Sequence, residues 1–212
     1  MDASTHYLPF AAAYARGRLG LPGVDEARAL AAAREAGLRL HRFKRNAELP
    51  RVRKALGVLH GLAPSRLLDV GSGRGTFLWP LLDALPELPV TCVEASEERA
   101  DQLDCVRAGG VDRLMVHHLD VTRPLPFDED AFDVVTVLEV MEHLEQPARA
   151  AVELVRVAGR FIVCSVPSRP DDNPEHLRLF DRASLDVLWR DAGASRVQID
   201  EVHNHYLAVI GV

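Results

Sequence analysis

Two groups of residues in this chain have types and spacings that could do chemistry. The first is Asp69 followed by Gly71, Ser72, Gly73 and Gly75, with Glu94 lying 21 residues beyond Gly73. Glycines at alternate positions can take positive φ and let a ligand lie against the main chain. An acidic residue some twenty positions later stands where ribose hydroxyls can donate to it. The second group is Glu139, Glu142 and His143, spaced i, i+3 and i+4, with His176 further along. On a helical turn the first three would share one side. Converging carboxylates and imidazoles can orient and deprotonate a hydroxyl or an amine, and they can equally hold a divalent cation.

The glycine turn departs from a dinucleotide fingerprint, G-x-G-x-x-G, because its third glycine comes one residue early and Asp69 stands at the end of the preceding apolar strand. A carboxylate there would repel a pyrophosphate. It suits a phosphate-free nucleoside that carries a positively charged amino acid portion, and S-adenosylmethionine is such a ligand. A nucleotide-binding oxidoreductase is disfavoured on the same ground.

The elements that must position these groups alternate in type. Leu67–Val70 reads as a strand leading through the turn into a helix at about 75–85, and a strand at 89–94 leads into a helix capped by Ser96 with Glu97 and Glu98 in its first turn. Gly109 and Gly110 end that helix before a strand at 113–118. A strand at 132–138, a helix near 147–157 and a strand at 160–166 follow, then a proline-rich loop over 167–175 and a helix around 183–192. The last two strands, near 196–202 and 206–212, are separated by His203, Asn204 and His205 and read as an antiparallel hairpin. Upstream, an alanine-rich helix is expected over 25–40 and another from Pro50 to Gly61, together forming an N-terminal helical extension or lid over residues 1–62. Residues 63–212 then form the cofactor-binding domain. Ligands in open α/β sheets bind beyond the carboxyl ends of the strands, so Glu139, at the end of the fourth strand, faces that crevice.

With these motifs in order, the chain resembles the class I S-adenosylmethionine-dependent methyltransferases over about residues 64–212. The resemblance implies an α/β fold, a Rossmann-like doubly wound seven-stranded sheet with its last strand antiparallel. It implies that Asp69, Gly71, Ser72, Gly73, Gly75, Glu94 and Ala95 hold the cofactor, that Asp120 contacts the adenine amino group beside Val121, and that Glu139 lines both the cofactor and the acceptor. Leu138-Glu139-Val140-Met141 is not the Asn/Asp-Pro-Pro-aromatic turn of exocyclic base-amine methylases, so an oxygen acceptor is preferred. The E-x-x-E-H stretch with a later histidine is also similar to small-RNA 3′-terminal ribose 2′-O-methyltransferases. That similarity implies a divalent metal (Mg, Mn, Co or Zn) on Glu139, Glu142, His143 and His176. The alternative is metal-free, with Glu139 and His143 as the catalytic pair. A module that binds the cofactor without catalysis is a third reading.

Length and composition bound these readings. The 212 residues suffice for one α/β domain plus an extension, and 48% hydrophobic with 26% charged residues is ordinary for a globular chain. The first six residues lack a signal peptide's basic start and apolar run, and no apolar stretch reaches bilayer-spanning length, so a cytoplasmic protein without a membrane partner is expected. Cys92, Cys105 and Cys164 form no close pair, against a disulfide framework or a zinc ribbon. The net charge of −6 hides a basic stretch: residues 39–54 hold Arg39, Arg42, Lys44, Arg45, Arg51, Arg53 and Lys54 against Glu48 alone. Such a stretch can meet RNA. It has few aromatics interleaved for base stacking, so a small-molecule acceptor is preferred. Trp79 and Trp189 fall on apolar helix faces and read as core, while His203 and His205 read as surface residues of a turn.

Overall fold

The computed structural model describes residues 2–170 and 172–212, so position 171 of the proline-rich loop lies outside the described residues. Seven strands form one sheet: β1 (Leu67–Val70), β2 (Val90–Glu94), β3 (Leu114–His118), β4 (Phe132–Leu138), β5 (Ala158–Pro167), β6 (Arg196–Val202) and β7 (His205–Gly211). Their order is β3-β2-β1-β4-β5-β7-β6. The first five run parallel and β7 inserts antiparallel between β5 and β6, the doubly wound sheet expected from the sequence. All four residues of β1 are buried, as a strand covered on both faces requires. Strand order reverses between β1 and β4, and the crevice opens there.

Helices α1 (Leu8–Leu19), α2 (Glu26–Glu35) and α3 (Pro50–Leu62) precede the sheet; α4 (Leu78–Ala84), α5 (Glu97–Ala108), α6 (Pro147–Val157) and α7 (Arg182–Asp191) are threaded through it. Helix α2 stops well short of the expected residue 40, because Gly37 takes a φ of 69° and turns the chain, which then makes a short 3-10 turn at His41–Phe43. Helix α4 begins later than expected, since residues 75–77 still belong to the turn.

Helix α1 was not expected from the sequence. Its residues Phe10 through Ala15 are all buried, so it carries no polar stripe to mark a helical period. Its small residues let it approach α5 closely. A β-carbon on Gly17 would lie 1.9 Å from the Cys105 carbonyl oxygen, and one on Gly109 would lie 1.7 Å from that of Ala13. The Arg16 Nε donates to the Gly109 carbonyl oxygen at 2.8 Å, tying the two helices further.

The N-terminal segment also braces the glycine turn. The Trp79 ring lies 5.8 Å from that of Phe10 and 5.0 Å from that of Phe43, and its Nε1 donates to the carbonyl oxygens of both Arg42 and Arg74 at 3.1 Å. Asn46 Nδ2 donates to the Thr76 carbonyl at 2.7 Å. These side chains and those of α1 to α3 share one hydrophobic cluster with β1, β2 and α4. Trp189 is fully buried against the other face, so both tryptophans are core residues. No helix among the described residues is long and apolar enough to cross a membrane.

Candidate active site

At the carboxyl ends of β1, β2 and β4 lies a cavity of about 490 Å³, within the range of small-molecule sites. Its expected cofactor side is built around the turn after β1. Gly71, Gly73 and Gly75 have φ of 69°, 56° and 82°. At Gly75 the need for glycine is also steric, because a β-carbon would fall 2.1 Å from the Trp79 ring. A β-carbon at Gly73 would meet only the Gly71 carbonyl, at 3.7 Å, so the bare backbone there leaves room for a ligand.

Asp69 is 2% exposed and its carboxylate accepts from Ser72 Oγ at 2.6 Å and from Thr136 Oγ1 at 2.7 Å. Burial pushes its pKa up to about 6, against those two hydrogen bonds, and the nearby Glu94 pushes in the same direction as burial. A buried carboxylate beneath the turn, ionised at neutral pH, favours a cationic ligand above it. Glu94 spans the turn from the next strand: Oε2 accepts from the Gly73 amide at 2.8 Å and Oε1 from the Ser96 amide at 3.0 Å. Ala95, Val121 and Asp120 line the same end of the cavity. Asp120 Oδ1 accepts from the Thr122 hydroxyl and amide, and these bonds hold its carboxyl below the usual range.

The candidate acceptor side is assembled by side chains. Glu139 follows β4 with a φ of 59°, a left-handed conformation that costs a non-glycine residue about 1–3 kcal/mol. Its amide donates to the Ser165 carbonyl at 2.9 Å. Its Oε1 accepts from Ser165 Oγ at 2.6 Å, its Oε2 lies 2.9 Å from His205 Nε2, and the Arg51 Nε of α3 is 3.8 Å from Oε2. Burial alone would raise the Glu139 pKa, but the His205 and Ser165 hydrogen bonds and the His205 and Arg51 charges together hold it below the usual carboxylate value. His205 is therefore a partner of the candidate acceptor site and not a surface residue of the turn; His203 is the exposed one. The signal that could have found it is the hairpin itself, since register with β5 sets His205 opposite Pro167 at the strand's carboxyl end.

The positive φ of Glu139 also prevents the expected helical turn over residues 139–143. A 3-10 turn begins only at Met141, after the left-handed Glu139. The four expected metal-ligating residues separate into one and three: Glu142, His143 and His176 bring ligand atoms within 4.8 Å of one another, and Glu139 is not in that group. His143 Nδ1 lies 2.9 Å from the Glu175 carbonyl oxygen, and the His143 and His176 rings meet at 4.7 Å. The three donors could hold a divalent cation, with Glu142 buried behind the two imidazoles.

Part of the basic stretch is engaged within the fold. Arg42 bonds Gln102 and Arg45 bonds Asp83. Lys54 pairs with Asp200 at 2.9 Å, and Arg51 faces Glu139.

Comparison with known proteins agrees with this architecture. Residues 68–162 match the family described as methyltransferase domain. The chain is 34% identical over 104 residues to ribosomal RNA small subunit methyltransferase G of Chloroflexus aggregans, covering 47% of this chain and 43% of that one. It is 29% identical over 168 residues to ubiquinone biosynthesis O-methyltransferase of Psychrobacter arcticus, covering 68% and 64%. It thus spans less than two thirds of either relative. In structure it is similar to a SAM-dependent methyltransferase from Aquifex aeolicus, with a TM-score of 0.64 at 21% identity over 78% of this chain and 91% of that one. Fold and glycine turn together define a Rossmann-like nucleoside-binding domain. Within that architecture residues 68–162 match the methyltransferase domain family, in keeping with the resemblance to the class I S-adenosylmethionine-dependent methyltransferases seen in the sequence.

Proposed function

We propose that the protein transfers a methyl group from S-adenosylmethionine to a hydroxyl oxygen of a small molecule. The observation that carries this reading is Glu139, a carboxylate held ionised by Ser165, His205 and Arg51 at the acceptor end of the cavity. When bound, the cofactor supplies a methyl group on a sulfonium, and the sulfur keeps the bonding pair as the methyl leaves. Asp69, the glycine turn, Glu94 and Asp120 would hold it, and Glu139 lines the same cavity. Glu139 would then accept a hydrogen bond from the acceptor hydroxyl and aim its oxygen along the line of displacement.

His143 is suited to take the released proton. The Glu175 carbonyl can only accept, so Nδ1 of His143 must be the donor at that contact, and in a neutral ring Nε2 is then the basic nitrogen. In this reading residues 1–62 form an acceptor-side cover, reaching the cavity through Arg51 and Val52 of α3, and residues 63–212 form the methyltransferase domain. Arg42, Arg45 and Lys54 are engaged within the fold and the basic stretch has few aromatics for base stacking, which supports a small molecule over RNA. The three unpaired cysteines suit a reducing compartment such as the cytoplasm. In the double variant Glu139→Ala, His143→Ala, methyl transfer should be abolished while calorimetry finds S-adenosylhomocysteine affinity within a few fold of wild type. Unchanged activity removes the acceptor-site assignment. Intact cofactor binding in a wild type that methylates nothing in a broad acceptor screen would favour a non-catalytic module.

A second reading rests on the cluster of Glu142, His143 and His176. These residues would hold a divalent cation, a Lewis acid able to grip two neighbouring hydroxyls such as those of an RNA 3′-terminal ribose. Titration of the protein with manganese or cobalt should then show a single site that His176→Ala weakens by about 10–100-fold. Absence of that site discards this reading.

A further inference from the structure

Arg51 is the one arginine that α3 delivers into the cavity, and its side chain is only 25% exposed. The Glu139 oxygen at 3.8 Å is beyond hydrogen-bond reach, and among the described residues nothing accepts a hydrogen bond from the guanidinium. A largely buried guanidinium without acceptors leaves several N–H groups for a ligand. Its position indicates which ligand. Arg51 approaches Oε2 of Glu139, the oxygen that also meets His205 of β7, so it stands on the β4–β5–β7 side of the crevice. The cofactor residues lie on the other side, after β1 and β2, where Arg74 of the glycine turn and Arg99 of α5 supply the cations.

Resting on the methyltransferase reading above, we infer that Arg51 and Glu139 act together as a selector for acceptors that carry a carboxylate beside the reacting hydroxyl, that is, for small hydroxy acids. The planar guanidinium matches a carboxylate in bidentate fashion, and Glu139 takes the hydroxyl. A single negative charge fits better than a dianionic phosphate. The cavity already carries five carboxyl side chains against three arginines, and Arg51 balances only one further charge next to Glu139.

The test uses the full chain saturated with S-adenosylhomocysteine. It is titrated calorimetrically with salicylate, lactate and a panel of other aromatic and aliphatic hydroxy acids, each paired with its neutral amide. At least one acid should bind about tenfold or more tightly than its amide. Arg51→Met should erase that preference with cofactor affinity within a few fold of wild type, and Arg51→Lys should keep part of it. Should Arg51→Met fail to fold, a reduced preference in Arg51→Lys carries the same expectation. Equal binding of acids and amides, no binding by any acid up to ~10 mM, or a preference that survives in both variants overturns the inference. So does a parallel loss of S-adenosylhomocysteine affinity in Arg51→Met, which would assign the residue to the cofactor's own carboxylate. A wild type that does not take up S-adenosylhomocysteine at all overturns the methyltransferase reading as well, which separates the two failures.

Discussion

The two ends of the cavity are built differently. The candidate cofactor end is local: β1, the glycine turn, α4 and β2 lie within residues 67–94, and three glycines of positive φ bare the main chain there. The acceptor end gathers side chains from distant elements, with Arg51 from α3, Glu139 after β4, Ser165 from β5 and His205 from β7. Steric fit governs the first end, because a backbone cradle fails when a β-carbon is added. Charge and direction govern the second, where one carboxylate is held by a hydroxyl, an imidazole and a guanidinium.

That contrast can be broken at three places. The largest effect is expected at Gly75, where alanine would drive a β-carbon into a Trp79 ring pinned between two carbonyls and would also have to hold a φ of 82°. Cofactor affinity should fall by about 100-fold or more in Gly75→Ala, measured by calorimetry with S-adenosylhomocysteine. A loss of only a few fold would mean that the turn tolerates side chains and that the cofactor end is no more steric than the acceptor end.

Next comes Gly17, far from any ligand. Alanine there presses on the Cys105 carbonyl, a backbone group that cannot turn aside, and should destabilise the protein by about 3 kcal/mol. Thermal unfolding should show a fall of roughly 6–12 °C in Tm. An unchanged Tm would show that α1 can leave α5 at little cost, and that the brace on the glycine turn is weaker than its packing implies.

The third place, and the one that sharpens the comparison, concerns pH at Asp69. Its folded pKa of about 6 lies above the ordinary 3.8, so between about pH 4 and pH 6 the folded state binds the proton more tightly than the unfolded chain. Native stability therefore rises as pH falls through that window, and above pH 6 the buried carboxylate costs about 3 kcal/mol in full. Asp69→Asn should stabilise the unliganded protein near pH 7.5, with the gain vanishing near pH 4. It should also weaken S-adenosylmethionine more than S-adenosylhomocysteine, which lacks the sulfonium charge. Equal weakening of both ligands would assign Asp69 to shaping the turn through Ser72 and not to charge.

The cofactor end was largely legible in the chain because each of its parts is a short-range pattern. An apolar strand, alternate glycines and an acid at the end of the next strand can form only in one order, and the structure has them as one strand-turn-helix-strand unit. Helix α1 was not legible, since burial on nearly every side removes the polar stripe that marks a helix, and its tight packing pairs its own Gly17 with Gly109 at the end of a partner helix about ninety residues away. Glu139, Glu142 and His143 were visible as a motif, but the spacing assumed a helical backbone. The hydrogen bond from the Glu139 amide to β5 and the residue's left-handed φ part Glu139 from the other two.

What the sequence alone determined is therefore the strand order's local units, the glycine cradle and the acids that face it, because these are fixed by neighbours in the chain. What only the tertiary structure decided is the company Glu139 keeps. His205 reaches it through the register of an antiparallel hairpin, Ser165 through a parallel neighbour, and Arg51 through a helix packed from the other end of the chain. Such partners are separated by more residues than any periodicity spans, and only the closing of the sheet brings their charges within a few ångströms.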